Sequence, residues 1–197
     1  VKTSFATALL LAVSVPVLQG CVEALLVGGV ATGVAVATDR RQAEVIFSDQ
    51  RIEFSAGHRI GEALNGQGHI NVTSYNYRVL LTGEVPSTAA KAEAEKVAAA
   101  TPEVRSVVNE LQVAGTSSAA SRSNDAYITS KVKGNFLGNG KFRPTDIKVV
   151  TEAGSVYLLG LVTHEEADAA TDIARGTGGV QKVVRVFEYI EPPAAGK

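Results

Sequence analysis

Ile70-Asn-Val-Thr-Ser-Tyr-Asn-Tyr-Arg-Val-Leu-Leu-Thr-Gly-Glu-Val85 is echoed by Ile147-Lys-Val-Val-Thr-Glu-Ala-Gly-Ser-Val-Tyr-Leu-Leu-Gly-Leu-Val162. Each stretch reads as a strand, a short turn and a second strand. Each ends in Gly-x-Val, so Gly83 matches Gly160 and Val85 matches Val162. Working outward, Asp49 and Ile52 match Asp125 and Ile128. Downstream, Ala90 and Ala94 match Ala167 and Thr171, and Val104, Val107 and Val108 match Val180, Val183 and Val184. Partners stay about 76 residues apart throughout, so the chain holds two copies of one unit.

Each unit reads as helix, strand, strand, helix, strand. In the second copy Ile128, Val132 and Phe136 recur four apart, which marks one face of a helix whose start Ser123, Asn124 or Asp125 caps. Ile147, Val149 and Thr151 alternate with Lys148 and Val150 as in a half-buried strand, and Ala153-Gly154 makes the turn. Val156, Leu158 and Val162 point inward on the next strand. Thr163 and Glu166 have capping-box spacing ahead of a helix whose inner stripe is Ala167, Ala170, Ile173 and Ala174. Val180 to Ile190 is the last strand. A hairpin followed by a helical crossover gives an α+β fold, a three-stranded mixed sheet packed on two helices, with a right-handed crossover. Ala114 to Asn124 is small and polar with no apolar period, which predicts a flexible linker. The expected boundaries are 47–114 for the first domain, 115–122 for the linker, 123–191 for the second domain and 192–197 for a C-terminal tail. Units this small sit near the lower limit for an independent core, so the two copies are expected to pack together.

The N-terminal stretch is of another kind. Lys2 precedes an apolar run from Phe5 to Val17, broken by Thr7, Ser14 and Pro16 and followed by Leu18-Gln19-Gly20-Cys21. A basic start, a short apolar core and a small residue before the cut describe a secretory signal over residues 1–20. The run is shorter than the roughly 20 apolar residues of a membrane span. Leu18-Gln19-Gly20-Cys21 resembles the bacterial lipobox, in which the Cys is acylated and becomes the first residue of the mature chain. Cys21 is the one cysteine, so no internal disulfide forms and no cysteine-based zinc site exists. Val22 in place of Asp after that Cys implies, by the sorting rule of such lipoproteins, the outer membrane, anchored by lipid on the periplasmic face. Residues 21–46 read as a lipidated tether, glycine-rich from Val22 to Thr38 and ending in the charges of Asp39-Arg40-Arg41.

The repeat resembles the BON domain. That family's signature is a helix opening with Asp-x-x-Ile, a hairpin ending in Leu-x-Gly-x-Val, an Ala-rich helix and a Val-x-x-Val strand. The second copy carries Asp125, Ile128, Leu158, Gly160, Val162, Ala167, Ala170, Val180 and Val183 at those positions. The first copy departs at Pro102-Glu103, where a small residue and Gly are usual. Two such domains behind a lipobox resemble the dual-BON outer-membrane lipoproteins of Gram-negative bacteria.

The net charge of −1 argues against a strongly basic nucleic-acid binder. No two of His58, His69 and His164 lie four apart, and no Cys or carboxylate pattern completes a metal site, so all three are expected at the surface. The glycine-rich stretches 66–68, 138–140 and 176–179 lack the spacing of a phosphate loop, and no Gly-x-Ser-x-Gly occurs. The chain therefore reads as non-enzymatic and without cofactor. Gly83 and Gly160 read as structural, each placed where a strand leaves the sheet to feed a helix.

Charge distribution singles out the helix of the second copy. From Asp125 to Lys148 the second copy has Lys131, Lys133, Lys141, Arg143 and Lys148 against Asp125 and Asp146, whereas from Asp49 to Asn71 the first copy has Arg51 and Arg59 against Asp49, Glu53 and Glu62. With Ile128, Val132 and Phe136 inward, Tyr127, Ser130, Lys131 and Gly134 share an outward flank, with Leu137 at its edge and Lys133 beside it. An aromatic beside a cation over a small residue suits the interface of an anionic bilayer. The family resemblance implies phospholipid binding through this helix and a role in outer-membrane integrity. The competing expectation is a periplasmic adaptor that binds an envelope-maintenance or cell-division protein.

Overall fold

Residues 39–192 are described by the computed structural model. The first domain runs α1 (Ala43–Ala63), β1 (His69–Tyr75), β2 (Arg78–Val85), α2 (Thr88–Ala99), β3 (Ser106–Asn109) and β4 (Gln112–Val113). The second runs α3 (Ala119–Phe136), β5 (Ile147–Glu152), β6 (Ser155–Val162), α4 (His164–Gly176) and β7 (Lys182–Tyr189), with a 3-10 turn over Pro144–Asp146 before β5. In each sheet the hairpin is antiparallel and the strand after the crossover helix runs parallel to the middle strand. The order is β1-β2-β3, with β4 also on β2, and β5-β6-β7.

Each domain has the expected mixed sheet packed on two helices; in the first, the third strand is interrupted at Glu110-Leu111, where Leu111 turns into the core at 1% exposure, and so counts as β3 and β4. Two expectations need correction. α1 begins at Ala43, inside the segment expected to be tether. α3 begins at Ala119 rather than near Asp125: Ser118 caps it by accepting the Ser121 amide at 3.1 Å, so the second half of the expected linker is helix. Polar, Ala-rich text carries no apolar period, yet alanine favours helix and a serine ahead of it is a good N-cap.

One face of each sheet meets its own helices. Val79, Leu81 and Val85 pack with Ile52 and Ile60 of α1 and Ala94 and Ala98 of α2. Val149, Val156, Leu158 and Val162 pack with Ile128, Val132 and Phe136 of α3 and Ala167, Ala170 and Ala174 of α4. Thr163 and Glu166 form the capping box that their spacing predicts.

The other faces meet each other. Tyr75 and Leu80 of the first sheet join Tyr157, Leu159 and Val186 of the second in a third core. The domains are thus stacked with sheets back to back and helices outside. This explains why Val79-Leu80-Leu81 and Val156-Tyr157-Leu158-Leu159 are apolar at every position: the middle strands are buried on both faces, not half-buried. A fully buried leucine contributes about 1.5–3 kcal/mol, so the shared core favours the docked pair over separate modules. Burial pushes the Tyr75 and Tyr157 hydroxyls up to about 12, so both stay neutral in the interface.

Polar contacts fix the register of the stack. Lys148 Nζ pairs with Glu53 Oε1 at 2.6 Å, Asn76 Nδ2 donates to Glu188 Oε2 at 3.0 Å, and the Tyr75 hydroxyl donates to the Asp146 carbonyl at 3.2 Å. The end of the expected tether takes part. Arg40 bonds Glu166 and Asp146 of the second domain, while Arg41 bonds Asp49 of the first and lies 3.8 Å over the Tyr75 ring.

Candidate lipid-contact surface

α3 sorts its residues by the helical period. Asp125, Ile128, Val132 and Phe136 are buried. On the other side Tyr127 is 64% and Leu137 72% exposed, with Ser130 and Gly134 open between them. Steps of three and four put these residues in one stripe along the helix. Its two lysines behave differently. Lys131 Nζ donates to the Gly178 carbonyl and sits 5.2 Å from the Tyr127 ring centroid, so its charge is braced beside the aromatic. Lys133 is exposed on the other flank.

Ser130, Lys133, Gly134 and Leu137 also form one wall of a groove of about 880 Å³ between the domains. Ile46 and Gln50 of α1 belong to the facing wall. The cationic surface is smaller than the sequence count implies. Lys148 is committed to Glu53, and Arg143 makes a two-pronged contact with buried Asp146 at 2.9 Å. The Lys148–Glu53 pairing joins residues far apart in the chain and carries no local sequence signal.

Two residues escaped the sequence reading. Phe47 is 57% and Phe54 78% exposed on α1, away from the buried Ile52, Ala56 and Ile60. Their seven-residue spacing, out of phase with the core stripe, is the signal that identifies them.

Gly83 and Gly160 lie within their strands rather than where a strand feeds a helix. Gly83 has φ +108°, and a Cβ there would run into the His69 carbonyl. A Cβ on Gly160 would lie 2.6 Å from the Asp146 carbonyl oxygen. The obstacle is backbone in both cases: β1 for Gly83, and for Gly160 the last residue of the 3-10 turn that leads into β5.

The histidines divide too. His58 and His164 are exposed, and His164 stacks on Tyr189 with centroids 4.1 Å apart. His69 is not a free surface residue. Its ring lies against buried Glu84 and Glu152, so the expectation of a surface position is corrected for this histidine. Burial and the nearby Glu84 charge hold the Glu152 carboxyl above the usual carboxylate range against a lowering hydrogen bond from Asn71. Cys21 lies outside the described residues, and among those described no helix is long and apolar enough to cross a membrane.

A family model of the BON domain matches residues 48–115 and again 124–191. The chain belongs to the BON-domain family. It is 40% identical over 176 residues to the outer membrane lipoprotein DolP of Haemophilus influenzae, covering 88% of this chain and 91% of that one. It is 33% identical to the 21 kDa hemolysin of Actinobacillus pleuropneumoniae, covering 78% and 80% of the two chains. It is also 29% identical to the osmotically-inducible protein Y of Escherichia coli, covering 81% and 89%. In both BON domains the Asp opening the family signature is buried, as Asp49 and Asp125. Each binds the turn of its own hairpin.

Proposed function

We propose that this BON protein is a non-enzymatic outer-membrane lipoprotein, anchored through an acylated Cys21 on the periplasmic face, whose second domain binds anionic phospholipid and supports outer-membrane integrity. The observation that carries the reading is the α3 stripe, with Tyr127 and Leu137 each more than half exposed beside cationic Lys131 and Lys133. Tyrosine at a bilayer interface keeps its ring among acyl chains and its hydroxyl in water. Each lysine near an anionic surface contributes about 1 kcal/mol, weakened by salt. Gly134 leaves room for the helix backbone to approach the headgroups. Permanent attachment comes from the acyl chains, since single weak contacts do not hold a protein on a membrane. The similarity to a relative named as an outer membrane lipoprotein supports the location.

Flotation of the mature chain carrying Cys21→Ser with vesicles tests the domains without their anchor. Binding to phosphatidylglycerol vesicles, lost in neutral vesicles and in high salt, is the expected outcome. Equal binding to neutral vesicles overturns the lipid-reading role. The intact mass of protein extracted from membranes tests the anchor: a chain starting at Cys21 with added acyl mass is expected.

The adaptor reading has one observation of its own, the exposed Phe47 and Phe54 of α1 in the other BON domain. A pair of aromatics on a helix face suits a protein partner as well as a bilayer.

A further inference from the structure

Glu84 stands opposite His69 in the β1–β2 pairing, on the face turned toward the second domain. Its side chain is only 8% exposed. Glu152, at the end of β5, is likewise buried. One nitrogen or oxygen atom from each of His69, Glu84 and Glu152 lies within 4.8 Å of the other two. Protein donors satisfy part of this cluster. The Ser117 amide donates to Glu84 Oε2 at 3.1 Å, and Asn71 Nδ2 donates to Glu152 Oε2 at 2.7 Å. Among the described residues, neither carboxylate has a lysine or arginine partner, and the imidazole of His69 is the one basic side chain beside them.

A second observation falls on the same spot. Among the described residues, the buried side-chain polar atoms with no hydrogen-bond partner are His69 Nδ1, Thr82 Oγ1 and Ser117 Oγ. All three belong to residues around Glu84. His69 faces it across the strand pair, Thr82 lies two residues before it on the same face of β2, and Ser117 supplies the amide it accepts. Thr82 is 1% exposed. Buried orphans of this kind each cost about 1–3 kcal/mol, and native proteins hold few of them. One of them, His69 Nδ1, lies within the cluster itself, and the other two belong to residues beside it in the strands or bonded to Glu84.

We propose that His69, Glu84 and Glu152 form a site for a divalent transition metal of the zinc class that bridges the two BON domains. One imidazole nitrogen and two carboxylates are a nitrogen–oxygen donor set that zinc accepts, with a further position left for water. An imidazole ligand selects against magnesium and calcium, which take oxygen donors. A dication balances two carboxylates beside a neutral imidazole, removing a buried charge that would otherwise be costly. Asn71 Nδ2 and the Ser117 amide, which donate to the two carboxylates, orient the ligands as outer-shell groups do. The ligands come from β1 and β2 of one domain and β5 of the other, so the complete site exists only when the sheets are stacked. The metal therefore stabilises the docked arrangement.

The test uses the full mature chain with Cys21→Ser, which removes the one thiol that would bind zinc by itself. Zinc is titrated calorimetrically in a non-chelating buffer, and thermal unfolding is followed with zinc and with EDTA. Saturable uptake with a raised melting temperature is expected. His69→Ala and Glu152→Gln should each weaken zinc binding on the order of tenfold or more, while His58→Ala and His164→Ala bind as the parent does. Imidazole NMR resonances of the unsubstituted protein give a reading that needs no variant: His69 should shift with zinc, and His58 and His164 should not. No saturable uptake, a parent-like affinity in His69→Ala, or a His69 signal indifferent to zinc overturns the site and leaves water or a shared proton as what fills it.

Discussion

Asp125 Oδ1 accepts the Gly154 amide at 2.8 Å, and its Oδ2 accepts the Ala153 amide at 3.0 Å, tying α3 to the tip of the β5–β6 hairpin. Asp49 does the same in the first domain with the Asn76 and Tyr77 amides, at 2.7 and 2.8 Å. Both turns hold two consecutive residues at positive φ, Ala153-Gly154 and Asn76-Tyr77, as a two-residue hairpin turn requires. The acid that opens each signature helix is thus a clamp between helix and hairpin. Hydrogen bonds to a charged group are worth about 1.5–3 kcal/mol, so Asp125→Ala should lower unfolding stability by about 2 kcal/mol. Asp125→Asn, which keeps one acceptor oxygen, should cost less. Chemical denaturation measures both, and an unchanged midpoint in Asp125→Ala would show that the clamp contributes nothing.

Gly160→Val should destabilise the protein by roughly 2 kcal/mol or more, because the new Cβ meets the Asp146 carbonyl at the end of the 3-10 turn before β5. Gly83→Ala should be costlier than Gly160→Ala, since Gly83 adds a φ of +108° to the same kind of collision. Melting temperatures that rank the two alanine variants the other way would mean that the sheet relaxes around Gly83 at little expense.

Periodicity in the sequence reports a residue's relation to its own element, and that part of the fold was legible. Ile128, Val132 and Phe136 are buried together on α3, and Thr163 with Glu166 caps α4, as their spacing predicts. The repeat likewise identifies two units of one topology. That the two units pack together was expected from their small size, and they share a core, but the face each uses was not legible. Leu80 and Leu159 face the other domain, and a sheet's second buried face breaks the alternation that would mark them. Glu152 and His69 come together only through that stacking, and no local spacing encodes it. Asp125 looked like a cap because Asp is a good one. Its partners lie in a hairpin that sequence proximity does not place beside it. At the site, Tyr127 and Leu137 were legible from the helical period, whereas the pairing of Lys148 with Glu53 was not.

Arg40 should make stability sensitive to acid. Its hydrogen bonds hold the Glu166 carboxyl below the usual carboxylate range, with the Thr163 amide adding to the effect and burial opposing it. A carboxyl whose folded pKa lies below its unfolded value contributes stability above the unfolded pKa, and this is lost as pH falls through the folded value. Arg40→Gln should therefore cost about 1–3 kcal/mol near neutrality, with the gap to the parent narrowing as pH falls below the ordinary carboxylate range. Stability curves of the two proteins that stay parallel from neutral to acid pH would contradict the link between Arg40 and Glu166.

Tyr127→Glu should abolish binding of the Cys21→Ser protein to anionic vesicles without unfolding it. Tyr127 is 64% exposed and off the core stripe, so the fold does not depend on it, while a carboxylate in its place repels the anionic surface. Arg51→Glu on α1 should have little effect, because Arg51 is exposed and its one acidic contact, Glu103, is 3.3 Å away at the surface. Phe54→Glu decides between the two uses of the first domain. Ile46 and Gln50 of α1 line the same groove as Gly134 and Leu137 of α3. If the membrane reaches across that groove, losing 78%-exposed Phe54 should weaken vesicle binding together with Tyr127→Glu. If the Phe47 and Phe54 face serves a protein partner instead, Phe54→Glu should leave vesicle binding intact. Sedimentation of each variant with phosphatidylglycerol vesicles at low and high salt separates these outcomes. Equal binding by Tyr127→Glu and Arg51→Glu would remove the lipid-reading role from α3, because the two differ in whether the substituted residue belongs to the exposed aromatic and cationic stripe.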